Sequence, residues 1–240
     1  MKILVTGATG FIGRNLCERL QISDRAAELF ITNSKTEGRV LKDYLKKCEM
    51  VYNLAAVHRT DDPADFKKVN VDYLENILNY LKLNNPRCKI ATISSIQVGN
   101  GSAYGESKQK AEQIALQYKE QTGSRVNILR LTNCFGKYAR PNGHSVVATF
   151  CYNISHDLPI RVNDPKAIVN LCYIDDAIDT LLSYLDVTES SIDYIDNKKV
   201  FHITLGYLVD YLRAIKLGKS IDYDSFVCKL KETYDWYARL

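Results

Sequence analysis

The sequence predicts an α/β fold, a doubly wound parallel sheet followed by a small C-terminal α/β lobe. Three observations predict it. Apolar, β-rich runs alternate with helix-length segments through the first 134 residues. Those runs lack strict polar alternation, as expected of strands covered on both faces. A glycine-rich turn stands between the first strand and the first helix, at residues 7–13. Repeated strand–helix–strand units close into a parallel sheet through right-handed crossovers.

In chain order, buried strands are expected at KILVT (2–6), ELFITN (28–33), MVYNLA (50–55), CKIATIS (88–94) and VNILRL (126–131). Helices fill the intervals near 11–20, 37–47, 64–83 and 104–122. Such sheets bind ligands beyond the carboxyl ends of their strands, so the ends of the first, third, fourth and fifth strands surround one cleft. After residue 134 the rhythm changes. FGKYARPNG (135–143) reads as a loop, followed by a helix near 144–156, a short strand near 160–162, a strand at 169–174, a helix at 175–186 and a mostly helical tail from 204. The expected division is therefore a domain of residues 1–134 and a smaller substrate lobe of 135–240, interleaved as one folding unit. There is no internal repeat and no low-complexity linker.

Composition narrows the function. At 240 residues, 46% hydrophobic and 25% charged, the chain suits one α/β domain with a full core. A net charge of +4 is too small to argue for a nucleic-acid partner, but it fits a modestly basic pocket for a phosphate-bearing ligand. The seven cysteines (Cys17, Cys48, Cys88, Cys134, Cys151, Cys172, Cys228) are odd in number and include no Cys-x-x-Cys pair. That pattern suits a reducing compartment and argues against a zinc site or a disulfide framework. His144, His156 and His202 show no metal-ligand spacing and read as structural or surface residues, so no metal is expected. No run approaches the roughly eighteen apolar residues of a membrane span, and MKILVTG lacks a signal peptide. A cytoplasmic protein without membrane insertion is the expectation.

VTGATGFIG (5–13) places Gly7, Gly10 and Gly13 directly after the first strand and into the first helix, together with Thr9, Phe11 and Ile12. The tight turn needs positive φ, a diphosphate needs close backbone approach, and the helix must pack closely on its strand. The helix N-terminus then offers free N–H groups to phosphate. The combination points to a dinucleotide bound in the Rossmann manner. A domain selective for NAD usually ends its second strand on Asp or Glu to bind the ribose 2′-hydroxyl. Here that strand ends TNSK, with Asn33, Ser34 and Lys35 and no acid, while Arg14 and Arg39 are near. Cations and donors suit a 2′-phosphate, so NADPH is expected over NADH.

ISSIQ (93–97) ends the strand expected beside the glycine loop. Tyr104 follows Ser95 by nine residues, and Lys108 follows Tyr104 by four. On a helix starting near Tyr104, that spacing puts Tyr104 and Lys108 on one face. A lysine ammonium beside a phenol favours phenolate and makes tyrosine an acid/base near neutral pH. A serine hydroxyl at the strand end can bind the same substrate oxygen. With a dinucleotide loop, the three form a hydride-transfer site.

The glycine loop, serine, tyrosine and lysine, in that order, resemble the extended short-chain dehydrogenase/reductase family of sugar-nucleotide epimerases, dehydratases and reductases. The likeness covers most of the chain. NLAA (53–56) resembles the family's segment beside the cofactor, which implies cofactor contacts from Leu54, Ala55 and Ala56. VNVDYLENIL (69–78) resembles its N-V-x-G-T helix with Asn70 at the matching position, RLTNCFG (130–136) resembles R-x-x-N-x-Y-G, and CYIDDAI (172–178) resembles V-Y-V-D-D-V. The resemblance implies a catalytic triad of Ser95, Tyr104 and Lys108, with Tyr104 and Lys108 also at the cofactor, Asn70 and Thr132 as cofactor neighbours and Asn133 as a substrate contact. YGESK, NCFGKYARPN, SVVATFCYNI, VNDPK, YIDD and VFHITLG are further similar to the N-terminal reductase domain of the CapF family of capsular-polysaccharide enzymes.

That likeness implies NADPH-dependent reduction of the C4 ketone of a UDP-linked 4-keto-6-deoxy-N-acetylhexosamine in surface-polysaccharide precursor synthesis. Family proteins carry a C-terminal cupin domain for C3 epimerisation, which would begin where this sequence reaches Leu240. The resemblance therefore implies a piece of a longer chain, or a reductase served by a cupin partner. Substrate contacts are expected from His58 and Arg59 after NLAAV, Gln97, Arg140, and Ser145 and Val146 at the next helix. Many relatives grip the diphosphate with the arginine of an R-D-F element. Here that stretch is VNL (169–171), which leaves the task to Arg140 or Arg161. Family dehydratases place an Asp-Glu pair after the catalytic serine or threonine; Ile96 and Gln97 stand there instead and cannot transfer protons. Two alternatives stay open: a UDP-sugar 4-epimerase holding NAD tightly, and a non-catalytic NADP-binding or regulatory protein. The family also implies a homodimer through helices 64–83 and 104–122.

Overall fold

The computed structural model describes residues 1–240 except His144, Ile221 and Tyr223, with Asn197 described by its backbone alone. The first half runs β1 (Lys2–Thr6), α1 (Phe11–Ile22), β2 (Glu28–Ile31), α2 (Gly38–Lys47), β3 (Met50–Asn53), a π-helical stretch Phe66–Asp72 continuing into α3 (Tyr73–Asn84), β4 (Lys89–Ser95), α4 (Ala103–Thr122) and β5 (Val126–Leu131). Then follow β6 (Asn133–Phe135), α5 (Val146–Ser155), β7 (Ile168–Tyr173), α6 (Ile174–Ser183), β8 (Ser191–Tyr194), β9 (Val200–Thr204), α7 (Leu205–Lys216) and α8 (Ser225–Tyr237). The chain divides into two units, Met1–Leu131 with Ile178–Tyr194, and Thr132–Ala177 with Ile195–Leu240. The boundary expected at 134 thus falls at 131, and a later segment returns to the first unit.

In the first unit six strands form one sheet in the order β2-β1-β3-β4-β5-β8. Every pairing is parallel, so all carboxyl ends share one edge. β3 lies between β1 and β4, and the strand carrying Ser95 is therefore not the neighbour of the glycine-loop strand, as had been expected. Each residue of β3 is buried, which accounts for its unbroken apolar run. Leu4, Val51, Ile90 and Ile128 from the strands pack with Leu74, Ile77 and Leu81 of α3 and Ala111, Ala115 and Tyr118 of α4.

α4 begins and ends where its sequence says. The Ser102 hydroxyl accepts from Gly105 N, and Gly123 closes the helix at φ +71°, a left-handed position that costs glycine nothing. The regular helix expected from 64 is wound differently at its start. Residues 66–72 are π-helical, and the Tyr73 N–H reaches back five residues to the Lys68 carbonyl. Such bulges rotate side chains out of the regular register, and this one carries Asn70.

In the second unit β6 and β7 pair in parallel and β9 joins β7 antiparallel. Phe135, fully buried, sits among Tyr173, Phe201 and Phe226 at centroid distances of 5.3, 6.5 and 5.8 Å. Lys229 Nζ meets Asp176 at 2.6 Å, and the Tyr173 hydroxyl donates to Glu232 at 2.9 Å. These two contacts fasten α8. No strand forms at 160–162, because the Pro159 carbonyl is taken by Asn153 Nδ2 at 2.9 Å and the residues after it run as irregular chain. β6, β8 and β9 lie outside the expected elements. No helix among the described residues is long and apolar enough to cross a membrane.

Leu74 is 0% exposed at the centre of the first unit's core, whereas Leu83 on the same helix is 79% exposed. Leu74→Ala should cost about 2–5 kcal/mol of unfolding free energy, and Leu83→Ala no more than about 0.5 kcal/mol. Urea unfolding followed by circular dichroism measures both.

Candidate active site

The turn after β1 is built by contacts that exclude side chains. Gly7 has φ +66°, and a Cβ on it would stand 2.7 Å from Ala55 N. A Cβ on Gly13 would stand 2.2 Å from the Gly7 carbonyl oxygen. Only hydrogen fits at either place, so the turn, the start of α1 and the segment after β3 lie backbone against backbone. Gly10 caps α1, no side chain caps its first N–H groups, and no acid occupies the first turn. Thr9 and Gly10 are exposed beside it, with Phe11 and Ile12 half-buried. An N-terminus left this way favours an anion, which is the requirement of a diphosphate.

Ala8 N donates to the Thr32 carbonyl at 3.1 Å and brings the end of β2 alongside the loop. β2 stops at Ile31, so Asn33, Ser34 and Lys35 stand in the following turn, all exposed. Asn33 Oδ1 accepts from Lys35 N at 2.8 Å and shapes that turn. Arg14 and Arg39 are exposed on α1 and α2. β3 likewise ends at Asn53 rather than 55, leaving Leu54, Ala55 and Ala56 in the loop against Gly7.

Asn70 belongs to the site in a way its sequence position does not disclose. Its Oδ1 accepts from Val57 N at 2.8 Å, and its Nδ2 donates to the Val57 carbonyl at 2.9 Å and to Ser107 Oγ at 3.0 Å. The amide is 3% exposed and is spent on protein partners. It acts as a clamp between the loop after β3 and α4, where a direct cofactor contact had been expected.

Ser95 ends β4, 6% exposed. Its hydroxyl accepts from Gln97 N at 3.1 Å and lies against the Tyr104 phenol. Asn100 Oδ1 accepts from both the Ser102 amide and the Ser102 hydroxyl, and this knot fixes the first turn of α4. Tyr104 is half-buried with its ring 5.9 Å from that of Phe66. Lys108 is 5% exposed; its Nζ donates to the Ile93 carbonyl at 3.0 Å and stands 5.9 Å from the Tyr104 ring centroid. Burial pulls the Lys108 ammonium down to about 8, with Glu112 acting in the opposite direction.

The phenol departs from expectation. Burial raises the Tyr104 pKa, and only the Ser95 hydrogen bond lowers it. The lysine was expected to lower it, but the ammonium is turned to a β4 carbonyl, and desolvation of phenolate prevails. At neutral pH Tyr104 carries its proton.

Other expected contacts are placed as follows. His58, Arg59 and Gln97 are exposed in the first unit. In the second unit the Thr132 hydroxyl donates to the Asn170 carbonyl at 3.0 Å, and Ser145 caps α5 by accepting from Ala148 N at 3.3 Å. Both hydroxyls have local work. Asn133 on β6, Arg140 and Arg161 are exposed, and Val146 opens α5 half-buried. His144 lies outside the described residues. His156 and His202 are surface residues; the latter's Nδ1 is 2.7 Å from Asn170 Oδ1.

The model of the NAD dependent epimerase/dehydratase family matches residues 3–195. The chain belongs to that family. It is 35% identical over 212 residues to the UDP-2-acetamido-2,6-beta-L-arabino-hexul-4-ose reductase of Pseudomonas aeruginosa, covering 88% of this chain and 57% of the relative. The crystal structure of the capsular polysaccharide assembling protein CapF of Staphylococcus aureus superimposes with a TM-score of 0.86 at 34% identity, over 99% of this chain and 66% of that one. This chain therefore spans 57% and 66% of their respective lengths. A UDP-glucose 4-epimerase of Thermotoga maritima shares the fold, with a TM-score of 0.84 at 19% identity over 100% and 99% of the two chains.

Family membership supports a nicotinamide cofactor, and the close backbone contacts at Gly7 and Gly13 fit one. Two parts of the site were hidden from the sequence. Asn70 could be placed by motif, but its clamp depends on the π-helical turn. Glu112 follows Lys108 by four residues on α4, but its partner Arg130 comes from β5. Asn70→Ala should lose about 1–3 kcal/mol, because it leaves the half-buried Val57 N–H and carbonyl without their side-chain partner and removes one bond from the Ser107 hydroxyl. Thermal unfolding measures that loss, and hydrogen exchange at Val57 should rise with it.

Proposed function

We propose that this chain is an NADPH-dependent reductase of the C4 ketone of a UDP-linked 4-keto-6-deoxy-N-acetylhexosamine. One observation carries the reading. A protonated Tyr104, Ser95 and a buried Lys108 converge at the end of β4, in a chain 35% identical to a reductase of a UDP-linked hexul-4-ose. The positions after Ser95 are Ile96 and Gln97, both exposed and neither able to move a proton. Dehydration, which needs ionisable groups over the ring, is left without its agents.

When bound, the reduced nicotinamide supplies the hydride. The protein's residues do the rest. Ser95 and Tyr104 donate hydrogen bonds to the ketone oxygen, and these strengthen as it becomes an alkoxide. Tyr104 gives its proton to that oxygen. Lys108 remains mostly charged below pH 8, where its positive field stabilises the anionic oxygen and any phenolate left behind. The preference for NADPH rests on the turn after β2, where Asn33, Ser34 and Lys35 offer donors and a cation and no acid is present.

The test mixes the protein with NADPH or NADH and a panel of UDP- and dTDP-linked 4-keto-6-deoxy sugars, following loss of the reduced-nicotinamide absorbance. Tyr104→Phe should lower turnover by about 10²–10⁴-fold while NADPH affinity is retained. Unchanged turnover in that variant would overturn the assignment. Because the Lys108 pKa is depressed to about 8, its charge is present below that pH and lost above it. Wild-type kcat/KM should therefore fall as pH rises through about 8.

A further inference from the structure

A carboxylate deeper in α4 remains without a role in this scheme. Glu112 is 5% exposed, one helical turn beyond Lys108. Both of its oxygens are held by Arg130 of β5, from Nε at 2.8 Å and Nη2 at 2.6 Å. This is the paired fork that fixes a carboxylate most firmly. Arg130 is anchored in turn. Its Nη1 donates to the Tyr194 hydroxyl at the end of β8, and its guanidinium carbon lies 5.3 Å from that ring's centroid. The result is a series of charges leading from the buried triad lysine toward the surface: the Lys108 cation, the Glu112 anion and the less buried Arg130 cation.

A buried carboxylate with one arginine partner is a common structural pin. The lysine beside it makes this one different. Among the described residues Glu112, on the same helix, is the charged group that acts on the Lys108 ammonium. β4 contributes the Ile93 carbonyl, which accepts from the ammonium, and β5 contributes Arg130, which holds both oxygens of Glu112. An ammonium with so little water needs a nearby negative charge to remain an ammonium. Arg130 competes for the same carboxylate and so limits how much of it Lys108 receives.

We propose that Glu112, oriented by Arg130, is a positioning residue that keeps Lys108 charged and in place for the reduction. The proposal rests on the reading of Lys108 as a member of the catalytic triad. It agrees with the direction in which Glu112 acts on the lysine. It also requires opposite effects from the two halves of one ion pair, which a merely structural pin does not. Removing the carboxylate must make Lys108 easier to deprotonate. Removing the arginine frees the carboxylate for Lys108 and must make it harder.

The experiment measures the Lys108 pKa directly, by ¹³C NMR titration of the lysine ε-carbons in the full chain without substrate. The signal is assigned by its absence in Lys108→Met. Glu112→Gln should lower that pKa by about one unit, a tenfold loss of proton affinity. Arg130→Met should raise it, Arg130→Lys should return it toward the wild-type value, and the Glu112→Gln/Arg130→Met double variant should fall between Glu112→Gln and wild type. The double variant also removes both halves of the Glu112–Arg130 pair together, so neither is left without the other and a poorly folding single variant does not block the test. The basic limb of kcat/KM against pH should move in the same order. Unmoved Lys108 titration in Glu112→Gln and in the double variant, with NADPH oxidation by the wild type intact, overturns the positioning role and leaves the reductase assignment standing. Titrations that shift as stated in a protein that oxidises no NADPH with any sugar in the panel support the electrostatic coupling and sink the reductase assignment.

Discussion

A lysine ammonium with 5% exposure is the constraint around which the first unit is arranged. A cation taken out of water holds its proton only if fixed acceptors and an opposite charge replace the lost solvent. The Ile93 carbonyl and Glu112 provide them, and each demands accurate placement of α4. The helix must start at Ala103, so Ser102 and Asn100 tie its first turn. It must lie close to the end of β4, and Gly105 permits that, since a Cβ there would stand 2.4 Å from the Gln97 carbonyl oxygen. It must also carry Glu112 under β5, where Arg130 captures it.

The same demand reaches the cofactor side through Asn70. One amide holds the backbone of Val57 and the hydroxyl of Ser107. The loop after β3 and the helix of Tyr104 therefore cannot move independently. That loop rests on Gly7 through Ala55, and Gly7 rests on Gly13. A continuous series of contacts leads from the glycine turn, the proposed phosphate site, to Tyr104, the proposed proton donor. Rigid spacing between a hydride source and an acid is what hydride transfer requires.

Local features were legible in the sequence to the extent that they are decided locally. The five strands of the first half and the helix of Tyr104 follow from apolar runs and from caps, and the structure places them within a few residues. Gly7 and Gly13 were legible because no other residue fits their contacts. What depends on distant partners was not legible. The three-residue β6 and the four-residue β8 are too short to show a pattern, and β8 exists because β5 offers it an edge. Arg130 lies 18 residues from Glu112, and nothing in either neighbourhood marks the pair. The Tyr104 pKa shows the same limit. Spacing says that a lysine is near, but not that its ammonium faces a carbonyl while the phenol is stripped of water.

That last difference bears on which direction of chemistry the site suits. A 4-epimerase must first oxidise an alcohol, so its tyrosine has to accept a proton, and a phenol raised by burial is almost never ionised at neutral pH. A ketone reductase needs the opposite. Its tyrosine must hold a proton until an alkoxide forms beside it, and a sugar alkoxide is far more basic than any phenolate. Raising the phenol pKa thus depletes the base that oxidation needs and leaves the final proton transfer of reduction downhill. Desolvation, which the spacing of Tyr104 and Lys108 does not encode, keeps the proton on Tyr104, the form that the proposed reduction uses.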